Sequence, residues 1–67
     1  MSIWKEIADF FYCGKTVEGM ELFMNNVASL GQQAATSVVN PLFDALEHGD
    51  FYYAADLLRF EIAVKQE

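Results

Sequence analysis

Apolar residues recur along the chain at the three- and four-residue spacing that is typical of amphipathic helices. The first such segment runs from about Ile3 to Tyr12, and its apolar residues fall on one helical face. Lys5, Glu6 and Asp9 fall on the other face. Gly14 follows, and glycine readily takes the left-handed conformation that ends a helix. The pattern predicts a helix that buries one face.

A second helix is predicted to open at Thr16, whose hydroxyl can cap the first turn, and to end at Gly31. Its apolar stripe consists of Met20, Phe23, Met24, Val27 and Leu30. We expect this stripe to be core, although its two methionines and the phenylalanine between them could instead form an adaptable partner-binding surface. Gly19 lies inside this helix and indicates that something packs closely against its backbone.

The third segment keeps one apolar phase from about Gln32 to His48. The apolar residues in phase are Ala35, Val38, Val39, Leu42 and Leu46. Pro41 interrupts the segment by removing one amide donor. Phase continuity favours a single kinked helix. The alternative is that Asn40 and Pro41 are the N-cap and first residue of a new helix.

A fourth helix is predicted to begin after Gly49, with Asp50 as its N-cap. This helix carries two apolar stripes. The first stripe consists of Phe51, Ala55, Leu58 and Ile62. The second stripe, on the nearly opposite side, consists of Tyr53, Leu57, Phe60 and Val64. A hairpin core can bury only one stripe fully, so the second stripe must meet helix one, a partner chain or water.

The chain nearly repeats itself at an offset of 35 residues, because the segment that starts at Gly14 returns at Gly49. Repeats at this period are typical of stacked helix-turn-helix hairpins. The sequence therefore predicts one all-α domain over residues 1–67, with four short helices arranged as two hairpins. The first hairpin is expected over about 2–30 and the second over about 32–66.

Both turns resemble the central turn of the tetratricopeptide repeat, where a Gly-Asp-Tyr-like turn precedes a small and then a bulky residue. The matching residues are Gly49, Asp50, Phe51, Ala54 and Leu58 in one copy and Gly14, Lys15, Gly19 and Phe23 in the other. The family places an alanine after the bulky residue. At that position the copy that starts at Gly14 has Asn26, and the copy that starts at Gly49 has Glu61. The resemblance implies helical-hairpin geometry and, beyond it, peptide binding. Residues 45–61 also resemble small bacterial helical proteins of uncharacterised function.

Composition adds an excess of apolar residues to this picture. The 67 residues are 54% hydrophobic and include one Trp, three Tyr and six Phe. A domain of this size buries only about 60% of the surface that its unfolded chain exposes. The single cysteine excludes an internal disulfide, and no cluster of residues suggests a metal. We therefore expect part of the apolar surface to meet another copy or a partner protein.

The net charge of −6 comes from ten acidic and four basic residues. This balance disfavours nucleic acid and anionic membrane surfaces as partners, because both are negatively charged. The first residues lack the features of a signal peptide. The uncharged stretch from Leu22 to Phe43 contains too many Asn and Gln residues for a membrane span. The sequence predicts a cytoplasmic protein, in which Cys13 stays reduced.

None of the residues with reactive or metal-binding side chains is expected to form a catalytic, cofactor or metal site. His48 lies where a histidine interacts favourably with the last carbonyls of a helix. Cys13 is at a helix C-terminus, where the dipole disfavours a thiolate, and we expect a half-buried spacer. Asp44, Glu47 and Asp50 lack the order of a calcium loop and are expected to form a solvated face.

The function that these features favour is a non-enzymatic protein–protein interaction module that forms a homodimer. Its candidate contact surfaces are the Leu22–Phe43 stretch and the second stripe, whose residues are Tyr53, Leu57, Phe60 and Val64. The alternative is a small acidic chaperone of the secretion or flagellar type, which holds a helical client segment in an apolar groove. We expect no enzymatic activity and no cofactor.

Overall fold

The computed structural model describes residues 3–33 and 36–63, and the regular structure of these residues is entirely helical. The elements are α1 (Ile3–Tyr12), α2 (Thr16–Gln33), α3 (Thr36–Glu47), α4 (Phe51–Asp56) and a π-helix (Leu57–Ala63) that continues α4. The predicted all-α class is confirmed. The predicted starts of the second and fourth helices are also confirmed.

The first helix is the element around which the others pack, because it contacts α2, α4 and the π-helix. The side chains of Trp4, Ile7 and Phe11 are at most 1% exposed. This is the apolar face that the sequence predicts for α1. Full burial of a large apolar side chain stabilises the fold by about 1.5–3 kcal/mol, so this face contributes much of the core.

The remaining core comes from all the other helices. Its buried members are Phe23, Leu30, Leu42, Ala45, Ala54, Ala55, Leu58, Ile62 and Ala63. Aromatic pairs join the helices across it: the rings of Trp4 and Phe23 meet edge to face at 6.2 Å, and those of Phe11 and Phe51 lie 5.2 Å apart. The first stripe of helix four therefore faces the core, as predicted.

The turn after α1 is closed by two backbone hydrogen bonds. Gly14 has φ +79°, and its N–H donates to the carbonyl of Phe11 at 3.2 Å. The N–H of Lys15 donates to the carbonyl of Phe10 at 2.8 Å. This pair of bonds is the Schellman motif, which satisfies carbonyls at the end of a helix.

The turn after α3 has the same geometry 35 residues later. Gly49 has φ +72°, and its N–H donates to the carbonyl of Leu46 at 3.2 Å. The N–H of Asp50 donates to the carbonyl of Ala45 at 2.8 Å. The Asp50 carboxylate also accepts the N–H of Tyr53 at 3.4 Å and so caps α4. The sequence repeat is therefore a structural repeat at both turns.

A β-branched side chain at position 49 is expected to destabilise the fold. A Cβ there would meet nothing within 4 Å, so backbone strain is the dominant effect. Gly49→Val should lower the free energy of unfolding by about 1–2 kcal/mol, and Gly49→Asn should lower it less, because asparagine tolerates positive φ. Urea denaturation followed by circular dichroism measures both. Equal losses of unfolding free energy for Val and Asn would contradict this explanation. A Cβ at Gly14 also meets nothing within 4 Å, so Gly14→Val should likewise destabilise the fold more than Gly14→Asn.

The boundary between the second and third helices differs from the prediction. The second helix passes through Gly31 and ends at Gln33, and α3 starts at Thr36. Glycine ends a helix when it adopts positive φ, and among the described residues only Gly14 and Gly49 do so. Inside a helix, glycine costs only about 1 kcal/mol relative to alanine, so α2 can continue through it.

Pro41 lies inside α3 rather than at the start of a new helix. Of the two interpretations that the sequence leaves open, the structure therefore supports the single helix. Proline has no N–H, so the carbonyl of Ser37 lacks its usual donor four residues on. Of the predicted apolar phase, Leu42 is buried and Val38, Val39 and Leu46 are half-buried against the core, while Ala35 lies outside the described residues. Ala45, which the predicted phase does not include, is also buried.

The C-terminal half of the fourth helix is a π-helix, which the sequence pattern does not predict. Its hydrogen bonds join residues five apart instead of four. Leu58 and Ala63, which are five residues apart, are both buried, together with Ile62. The wider turn therefore still places one side of Leu57–Ala63 against the core.

Candidate functional site: two exposed apolar surfaces

Tyr53 and Phe60 of the second stripe lie at the surface. Tyr53 is 48% exposed and Phe60 is 57% exposed, whereas Leu57 is half-buried against the core. Val64 lies outside the described residues. Although α1 contacts both α4 and the π-helix, it covers the first stripe. Of the three environments expected for the second stripe, packing against helix one is therefore not what the structure shows for Tyr53 and Phe60.

Phe60 belongs to the π-helix, and π-helical turns are frequently found at functional sites. The guanidinium carbon of Arg59 lies 5.6 Å from the centre of the Phe60 ring. This distance allows a cation–π interaction, which at an exposed site is worth about 0.5–1 kcal/mol. An aromatic ring next to a cation forms an amphipathic contact point on this surface.

A polar contact borders the same helix. The Tyr12 hydroxyl donates a hydrogen bond to the Asp56 carboxylate, and the Tyr12 ring stacks on Tyr52 at 6.4 Å. Partial burial and then the hydrogen bond to Asp56 raise the pKa of Tyr12 to about 12. The phenol therefore stays protonated at neutral pH and acts as a donor that joins α1 to α4, which is a structural role.

A second apolar surface lies between α2, the end of α3 and the start of α4. We call it the methionine groove. Its apolar lining consists of Val17, Met20, Met24, Phe43, Leu46 and Phe51. The groove forms where α2 and α3 make few contacts with each other. Its floor is closed by the buried Phe23, whose ring meets Phe43 edge to face at 6.0 Å.

The exposure of Met24 corrects the expectation that the α2 stripe is core. Phe23 and Leu30 are buried as expected and Met20 and Val27 are half-buried, but Met24 is 59% exposed. The physical reason is that α2 is covered by α1 on one side and only partly by α3 on the other. The sequence shows which residues share a face of α2, but it does not show the distance between α2 and α3.

The groove has two connected parts that share Met20 and Met24. The part between α2 and Phe51 has a volume of about 740 Å³. The part between α2 and the end of α3 has a volume of about 390 Å³. A sequence signal for this surface exists, because Val17, Met20 and Met24 follow each other at intervals of three and four. Met24 and Phe43 belong to the Leu22–Phe43 stretch that the sequence offers as a contact surface, and Met20 and Met24 to its alternative of a methionine surface, whereas Val17 is not predicted.

The polar groups along the groove are acidic or neutral. Glu21 and Asn25 line the wall formed by α2, and Glu47 lines the wall formed by α3. All three side chains are exposed, so they stand at the rim. No Lys or Arg belongs to the described lining. The groove is therefore an apolar surface with carboxylates on both sides.

His48 forms local contacts at the end of α3. Its Nδ1 donates to the Asp44 carbonyl at 2.8 Å and lies 3.5 Å from an Asp44 carboxylate oxygen. The backbone hydrogen bond and then the Asp44 charge raise the pKa of His48 above its ordinary value. These contacts confirm the predicted interaction with the last carbonyls of the helix.

Cys13 is exposed rather than half-buried, because it lies in the turn that Gly14 closes. Asp44, Glu47 and Asp50 are exposed, which confirms the predicted solvated face. Residues 3–33 and 36–63 contain no group of three His, Cys, Asp or Glu side chains that could hold a metal ion.

Within these same ranges, no helix combines the length and the apolar character that crossing a membrane requires. The two apolar surfaces are thus the features of the described chain that call for a functional explanation. Comparison of the chain with protein-family models, with curated proteins and with solved structures found no match.

Proposed function

We propose that this protein is a non-enzymatic protein–protein interaction module that self-associates through the second stripe. The observation that carries the proposal is the exposure of Tyr53 and Phe60, at 48% and 57%, on a helix whose other side buries Ala55, Leu58 and Ile62 completely. Contiguous exposed apolar patches are characteristic of interaction sites, and the proposal takes Tyr53 and Phe60 to form one such patch. Aromatic residues are also enriched at the centres of protein–protein interfaces.

The size of the chain supports the same proposal. Among the side chains that the structure describes, the large hydrophobic ones that remain exposed are Val17, Met24, Phe43, Tyr52, Tyr53 and Phe60. Small domains commonly gain stability by oligomerisation when they lack disulfides and metals. Covering Tyr53 and Phe60 with a second copy would add apolar burial that the single chain cannot supply.

The placement of the reactive groups supports the non-enzymatic part of the proposal. Cys13 and His48 are both exposed, and each lies in the turn that ends a helix. The His48 Nδ1 is engaged by Asp44. An adjacent base is one usual way to activate a thiol nucleophile, and the described contacts of the His48 Nδ1 are with Asp44 rather than with Cys13.

Phe60→Glu is expected to convert a dimer into a monomer. A carboxylate placed in an apolar contact must lose its hydration without gaining a partner, which costs several kcal/mol. Sedimentation equilibrium should show the loss of the dimer, and circular dichroism should show that helicity is retained. Val17→Glu is the matched control, because it adds the same charge at an exposed apolar position in the methionine groove and should leave the dimer intact.

The proposal fails if the unmodified protein is monomeric at every concentration tested, or if Phe60→Glu leaves the dimer unchanged. Loss of helicity in Phe60→Glu would also contradict it, because that result would place Phe60 in the core of the monomer. Dissociation by Val17→Glu instead of Phe60→Glu would move self-association to the methionine groove.

A second candidate function is that of a small acidic chaperone that holds a helical client segment. The specific observation in its favour is the methionine groove, which is open, apolar and bordered by carboxylates. The two candidates use different surfaces, so a protein that dimerises through the second stripe could still hold a client in the groove.

A further inference from the structure

We propose that the methionine groove binds a basic amphipathic helix of a partner protein. The inference rests on the proposed interaction function and names the chemistry of one partner. It uses a surface that shares no residue with the second stripe, so the two can be tested separately.

The lining of the groove suits an apolar partner face. Met20 and Met24 lie at its centre, where its two parts join. Methionine side chains are flexible and polarizable, and they are over-used at surfaces that accept varied partners. Phe43 lines one part of the groove and Phe51 lines the other. They offer rigid aromatic contacts on either side of the methionines.

The spacing of the α2 lining fits an opposing helix. Val17, Met20 and Met24 span two helical turns, which corresponds to about 10 Å at a rise of 1.5 Å per residue. Helices that dock in grooves present anchors at the same i, i+3, i+7 spacing. A partner of about 14 residues can therefore place one apolar side chain against each part of the groove and extend beyond both ends.

The rim determines the charge of the partner. Glu21 stands on the α2 wall and Glu47 on the α3 wall, and both are exposed. The whole chain carries a net charge of −6. Complementary charge across an interface favours association, and like charges placed face to face are penalised. A helix with Lys or Arg on both flanks of its apolar face can pair with the carboxylates on both walls.

The same charges disfavour a second copy of this chain as the occupant. Two grooves placed face to face would bring Glu21 and Glu47 of both copies together. A small apolar molecule fits less well, because Met24 is 59% exposed and Val17 is 69% exposed. Small-molecule sites usually bury about 70–90% of their ligand, and the groove is too open for that.

The test uses the full chain and two synthetic helical peptides of about 14 residues. Both peptides carry Leu at i, i+3 and i+7. One has Lys on its flanks, and the other has Glu at the same positions. Fluorescence anisotropy of the labelled peptides should show that the Lys peptide binds at least about tenfold more tightly. Its affinity should fall as the salt concentration rises, because salt screens exposed charges.

Two protein variants locate the binding site. Met24→Lys places a cation in the groove and should weaken binding of the Lys peptide by about tenfold or more. Ala28→Lys is its matched control, because residue 28 is an exposed position of the same helix outside the described lining. That variant should bind as the unmodified protein does, apart from the small general effect of one added charge.

Each remaining outcome contradicts the inference in a distinguishable way. Equal affinities for the Lys and Glu peptides would show that the groove does not prefer a basic helix. If Met24→Lys and Ala28→Lys weakened binding of the Lys peptide equally, the binding site would lie outside the groove. A change of oligomeric state in Met24→Lys would make a second copy the occupant. Binding of neither peptide by a protein that still dimerises through Phe60 would overturn this inference alone. Binding of neither peptide by a monomeric protein would also overturn the proposed self-association.

Discussion

Phe23→Ala is expected to lower the free energy of unfolding by about 3–5 kcal/mol, which is the usual loss when a buried phenylalanine is truncated. Phe23 is 1% exposed, and its ring lies between those of Trp4 and Phe43 at 6.2 and 6.0 Å. A domain of this size has a total stability of about 3–10 kcal/mol. Urea denaturation followed by circular dichroism should therefore show a much lower midpoint, or an unfolded protein.

Phe60→Ala is the matched control for this variant, because it removes the same side chain from a position that is 57% exposed. In the monomer, Phe60→Ala should change the free energy of unfolding by no more than about 0.5 kcal/mol, as for most surface substitutions. Similar losses at the two positions, measured at a concentration where the chain is monomeric, would mean that Phe60 is not a surface residue.

Gly19→Leu is expected to be the second largest loss, at about 2–3 kcal/mol. Gly19 is buried, and a Cβ placed there would lie 2.6 Å from Cε1 and 2.8 Å from Cδ1 of the Phe11 ring. That ring is 1% exposed and packs on Phe51, so it has little room to move. Leucine is favoured over glycine in a helix by less than about 1 kcal/mol, which is too little to offset the overlap. Thermal and urea denaturation both measure the outcome.

The control for Gly19→Leu is Ala28→Leu, which adds the same side chain to an exposed position of the same helix and should have little effect. A double variant that also carries Phe11→Ala should show coupling between positions 11 and 19, since residues in direct contact are not additive. Stabilisation of the protein by Gly19→Leu would contradict the close packing of the Phe11 ring of α1 against Gly19 of α2.

The parts of the fold that the sequence predicts are those determined by local interactions. Gly14 and Gly49 adopt the expected positive φ, and Asp50 caps α4, because a turn and its cap need only a few neighbouring residues. Gly19 was expected to allow a close approach, and the structure identifies Phe11 as the group that approaches. The repeat of hydrogen bonds at both turns follows from the same local patterns.

The features that the sequence does not predict depend on contacts between distant elements. Gly31 continues α2 because nothing requires a turn there, and helical periodicity does not distinguish a π-helix at Leu57–Ala63 from an α-helix. The methionine groove exists because α2 and α3 make few contacts with each other, and neither apolar stripe indicates how closely the two helices pack. The exposure of Met24 and Phe60 could therefore be expected only in part, since a stripe marks an apolar face without indicating what covers it.

The central place of α1 has a consequence for the way the protein is made. Trp4, Ile7 and Phe11 are synthesised roughly fifty residues before α4 and the π-helix, which α1 contacts. At about 5–20 residues per second, the apolar face of α1 waits for several seconds without those partners. Completion of the core is therefore a late event in biosynthesis, and Trp4, the only tryptophan of the chain, is a built-in fluorescent reporter of it.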